Sequence, residues 1–92
     1  MLHKLKKPYV FNGQEYTEVD VPLEDLTGMD YEKSCQQFKT LNKDFVGAVE
    51  LEPAFLTQIL VNASKKPSEF FTGLPMNEYI KLKFAVQNFL LA

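Results

Sequence analysis

The chain has 92 residues, 46% of them hydrophobic and 13% aromatic, which suits one packed domain and argues against disorder. Its net charge is only −2 and it contains no arginine, the residue best suited to forked contacts with phosphate and guanine, so no nucleic-acid partner is expected. No apolar run approaches the roughly 18 residues of a membrane span, and the basic start (His3, Lys4, Lys6, Lys7) lacks the apolar segment of a secretory signal, so no membrane association and a soluble, intracellular chain are expected.

The first elements read as a β-hairpin. Residues 7–11 and 16–21 are rich in β-formers, and Asn12-Gly13 between them best tolerates the positive φ values of a tight turn. Alternation along the second run puts Thr17, Val19 and Val21 on one face, expected to be the core, with Tyr16, Glu18 and Asp20 on the other. Pro22 then ends the pairing because it has no amide proton. Residues 13–32 hold seven acids and no base, which reads as a solvated face or, alternatively, a docking strip for a basic partner.

After a connector over 23–28, a helix is expected from about Asp30, whose carboxylate can cap free amides. Tyr31, Cys35, Phe38 and Leu41 form its apolar stripe. Residues 44–51 mix β-branched residues with a glycine and are expected to be loop or irregular. Pro53 suits the first turn of the next helix, where Phe55, Leu56, Ile59, Leu60 and Ala63 make an apolar arc and Gln58 and Asn62 face away. That helix ends at Lys65-Lys66. A short helical turn over 67–71, closed by Gly73, leads to a last helix with Asn77 as its expected N-cap. The expected fold is therefore α+β: an N-terminal β-hairpin followed by three main α-helices, with a short helical turn between the last two, in one domain over 1–92.

The last helix carries more apolar surface than one core needs. At about 100° per residue, Tyr79, Leu82, Ala85, Val86, Phe89 and Leu90 share one arc, and Ile80, Phe84 and Leu91 share a second. Lys83 and Gln87 separate the arcs on one side, Lys81 and Asn88 on the other. One arc packs on the domain and the second calls for a partner, which could be a second copy of the chain. Phe70 and Phe71 point about 100° apart, so either both are enclosed between neighbours or one is an exposed anchor, and Phe71 joins Ile80, Phe84 and Leu91 as a candidate interaction residue.

No catalytic, cofactor-binding or metal-binding residues are expected. The single histidine, His3, is expected in a mobile terminus, and no nucleotide-binding, zinc or serine-hydrolase motif occurs. The one cysteine, Cys35, can form no internal disulfide and reads as a small core residue, while Glu24-Asp25 reads as surface charge.

In order and spacing the chain from about Pro8 to Leu91 resembles the tail assembly chaperones of tailed bacteriophages. The resemblance rests on the hairpin Val10-Phe11-Asn12-Gly13-Gln14-Glu15-Tyr16-Thr17-Glu18-Val19-Asp20-Val21 and on Leu26-Thr27-Gly28-Met29-Asp30 at the first helix. It rests equally on the turn Pro67-Ser68-Glu69-Phe70-Phe71-Thr72-Gly73-Leu74 and the ending Val86-Gln87-Asn88-Phe89-Leu90. Many relatives carry an acid where Asn77 stands. The resemblance implies a protein without catalytic residues that binds the tape measure protein in the host cytoplasm and keeps it soluble until tail tube protein polymerises around it. It also implies absence from the mature virion. A structural tail or adaptor component and a small regulatory module that inhibits a host protein are the alternative readings.

Overall fold

A computed structural model describes residues 1–43, 47 and 52–91; the expected irregular stretch 44–51 lies outside these residues except for Gly47. Strands β1 (Leu2–Phe11) and β2 (Gln14–Asp20) form an antiparallel hairpin. A 3-10 turn (Leu23–Asp25) follows, then α1 (Gly28–Leu41), α2 (Pro53–Ser64), a short α3 (Ser68–Thr72) and α4 (Met76–Leu91). The architecture is the expected α+β arrangement.

Asn12 and Gly13 have φ of 51° and 77°, the left-handed pair that a two-residue type I′ turn requires. Near the turn Tyr9 lies opposite Tyr16; farther out His3 lies opposite Val19 and Lys4 opposite Glu18. Between these stretches β1 takes five steps, Lys4 to Tyr9, against two on β2, Glu18 to Tyr16. An odd count against an even one reverses which face of β2 points inward. The expected face is corrected accordingly: Val19 and Val21 are buried, but Thr17 is exposed and Tyr16 turns inward to meet the Phe70 ring edge-on at 5.0 Å.

β1 begins earlier than residues 7–11 suggest, and His3 is held in place. Its Nε2 lies 3.0 Å from Glu78 Oε1, and the Lys6 backbone amide donates to Glu78 Oε2 at 2.8 Å. Lys6 falls in the stretch where the strand register is interrupted, so a carboxylate from α4 supplies its acceptor. Pairing with an otherwise buried acid is the reason the terminus is fixed and not mobile.

Two helix starts also differ from expectation. Thr27, not Asp30, is the N-cap of α1: Asp30 is the third helical residue, and its carboxylate accepts from the Thr27 amide at 2.8 Å while Thr27 Oγ1 accepts from the Asp30 amide. This is a capping box closed by Asp in place of the usual Glu or Gln. Asn77 lies inside the first turn of α4, where the Pro75 carbonyl accepts from the amides of Glu78 and Tyr79.

The core joins Val19 and Val21 of the hairpin, Phe38 of α1, the whole predicted arc of α2, Phe70 and Phe71 of α3, and Leu82 and Val86 of α4. Leu41 leaves the predicted α1 stripe and is 76% exposed, while Ser34 is buried in its stead. Gln58 and Asn62 face α1 instead of solvent. Asn62 Nδ2 donates to Ser34 Oγ at 2.7 Å and to Gln37 Oε1 at 3.0 Å, and Gln58 Nε2 donates to the same Gln37 oxygen. Gly73 follows α3 because a side chain there would meet the Tyr9 hydroxyl, which itself donates to the Phe70 carbonyl at 2.8 Å.

Candidate interaction surface

Helix α4 positions the candidate site. Leu82 and Val86 are fully buried and Glu78 is anchored to β1, which fixes the rotation of the helix about its axis. The opposite side then faces outward: Ile80 is 40% exposed, Phe84 59% and Leu91 60%. These three fall within about 40° of one another around the helix, so they form one stripe. Phe89, expected on the core arc, is exposed, whereas Leu90 beside it packs against the core.

Met76 belongs to the same stripe, one turn before Ile80, and is largely exposed. Sequence reasoning missed it by placing the N-cap at Asn77, which put Met76 outside the helix. A hydrophobic residue four positions before Ile80 was the signal available. Pro53 and Leu56 from the start of α2 supply the second wall of a shallow groove of about 330 Å³ whose floor and first wall are Tyr79, Ile80, Lys83, Phe84 and Gln87. Tyr79 is fixed by an oxygen–oxygen hydrogen bond of 2.7 Å to Thr57, and the Lys83 ammonium lies 4.3 Å from the centre of its ring.

Phe71 does not join this surface. It is completely buried, as is Phe70, because α3 is enclosed between the hairpin and α2. Phe70 receives the rings of Tyr9, Phe11 and Tyr16 edge-on at centroid distances of 5.0–5.3 Å, and Phe71 lies against Phe70 at 5.2 Å. The assignment of Phe71 as an exposed anchor is thereby corrected to a core residue.

Among the described residues no group of three His, Cys, Asp or Glu side chains is arranged to hold a metal ion. The His3–Glu78 pair has a structural partner for each carboxylate oxygen. No helix among the described residues is long and apolar enough to cross a membrane. Cys35 is half-buried against the core, with its thiol free. Comparison with known proteins finds no matching family model, no matching curated protein and no matching solved structure.

Proposed function

We propose that this chain is a non-enzymatic assembly chaperone that covers apolar segments of a long partner, the tape measure protein of a tailed bacteriophage, in the host cytoplasm before the tail tube polymerises. The observation that carries the reading is the outward stripe of Ile80, Phe84 and Leu91 on a helix whose other side is already packed. Exposed apolar side chains lined up on one element of a small protein are the usual mark of an association surface. The resemblance in order and spacing to tail assembly chaperones supplies the identity of the partner.

Such a protein acts by covering surface and has no need of ATP. Affinity then arises from apolar burial, at roughly 25 cal/mol per Å², and the complex is expected to survive added salt. The test is co-expression with the tape measure product of the same phage. The native chain should keep that product in the soluble fraction without ATP, and Phe84→Glu should fail to do so while its thermal unfolding stays within about 0.5 kcal/mol of the native chain. If Phe84→Glu unfolds, Phe84 belongs to the core and the stripe is not a surface. If the native chain leaves the tape measure product insoluble, the chaperone reading is withdrawn.

A further inference from the structure

The α4 stripe has a charge pattern that specifies what kind of segment it takes. Around the helix, Met76, Ile80, Leu91 and Phe84 occupy the centre of the outward face. Lys83 stands on one border, roughly 20° from Met76, and Lys81 on the other, roughly 60° from Phe84. The only acid of α4, Glu78, points the other way and is buried on His3 and Lys6. The outward face of α4 is therefore apolar and cationic, with Asn77, Gln87 and Asn88 as its neutral polar residues. Among the described residues that line the groove against α2, Lys83 alone is charged, and Glu52 at the start of α2 lines the adjoining hollow with it. The exposed acids of the hairpin and its connector, Glu15, Glu18, Asp20, Glu24 and Asp25, belong to other elements.

We propose that the groove receives an amphipathic helix whose apolar stripe is flanked by acidic residues. Phe84 and Ile80 contact the apolar stripe, Lys83 within the groove meets the acids on one border, and Lys81, outside the groove beyond Phe84, meets those on the other. A second copy of α4 is a poor occupant, because it would bring its own Lys81 and Lys83 against these two cations with no acid on that face to offset them. A partner helix with basic borders is disfavoured for the same reason. The inference rests on the function proposed above and adds to it the selection of one class of segment within a long partner.

The test uses the full chain and three synthetic helical peptides of 16 residues with one shared Leu/Ala stripe and Glu, Lys or Gln at the flanking positions. Fluorescence anisotropy at low salt should show the Glu-flanked peptide binding about tenfold more tightly than the Gln-flanked one, with the Lys-flanked peptide weakest. Added salt should erase the ranking while leaving the apolar affinity. The double variant Lys81→Glu/Lys83→Glu, whose changes lie on the helix surface, should invert the order, and Phe84→Glu should remove binding of all three. Equal affinity for the three peptides would overturn the charge selection and leave the chaperone reading intact. Binding by none of them, with the tape measure product still kept soluble, would place the contact elsewhere on the molecule and overturn the groove. Concentration-dependent dimerisation that Phe84→Glu abolishes would assign the face to a second copy and overturn the proposal.

Discussion

Glu78 is 3% exposed and nevertheless suits an ionised state, because each carboxylate oxygen meets a polar partner: His3 Nε2 at 3.0 Å and the Lys6 amide at 2.8 Å. The Lys6 amide holds its carboxyl below the usual range; burial opposes that effect and the His3 hydrogen bond reinforces it. A carboxyl whose folded pKa is depressed stabilises the fold above its unfolded value, about 4.3, and that stability is lost as pH falls through the folded value. Urea unfolding followed as a function of pH should therefore show a decline in acid for the native chain. Glu78→Gln should flatten that decline and cost about 1–2 kcal/mol near neutrality, where the charged acceptor is lost. Parallel profiles for the two proteins would mean that Glu78 makes no such contribution.

At the scale of elements, the places where the sequence misleads have physical reasons. The arc Phe55, Leu56, Ile59, Leu60 and Ala63 of α2 is legible because every member is apolar and all are buried. The stripe of α1 is less so. Ser34 is buried with its hydroxyl bonded to the Asp30 carbonyl of its own helix, while Leu41, at the helix end, lies beyond the packed region. Hydrophobicity alone cannot show that the α1–α2 seam is joined by amides as well as hydrocarbon. Asn62→Ala removes the donor that serves both Ser34 and Gln37. It is expected to cost about 1–3 kcal/mol in urea unfolding and to speed amide exchange in α1. On α4 the helical period alone reveals Ile80, Phe84 and Leu91 as one stripe, whereas Met76 is hidden by an N-cap placed too late. For Phe70 and Phe71 the 100° offset leaves two readings open, both enclosed or one an exposed anchor, and the enclosed one holds because α3 has protein on both sides. The hairpin's change of face is hidden as well, since an interrupted register depends on how two strands meet and not on either strand alone.

On the scale of the whole molecule, a two-stranded hairpin is marginal by itself and needs a hydrophobic surface to pack against. Phe70 provides it, with the rings of Tyr9, Phe11 and Tyr16 around it and the Lys66 ammonium 5.3 Å from its own ring centre. Phe70→Ala removes the side chain common to all of these contacts, at about 3–5 kcal/mol. Small domains have total stabilities of roughly 5–15 kcal/mol, so this loss is a large share of the margin. The expected result is a much lower melting temperature, with near-ultraviolet circular dichroism of the tyrosines lost before the helical signal. A small shift in melting temperature would mean that the hairpin contributes little to the helical core.

The bond from the Lys6 amide to Glu78 spans 72 positions of sequence, and the bond from Tyr9 to the Phe70 carbonyl spans 61. During synthesis the first strand thus leaves the ribosome long before the residues that anchor it have been made. The hairpin can close early around Asn12-Gly13, but its attachment must wait for α3 and α4. Closing such long loops is slow compared with forming a turn or a helix. In a pulse-labelled refolding experiment the Lys6 amide should gain protection late, together with α4. Until then the interrupted stretch of β1 remains open to solvent, and a protease acting on nascent or refolding chains should find its first cleavage sites there, between Lys4 and Tyr9.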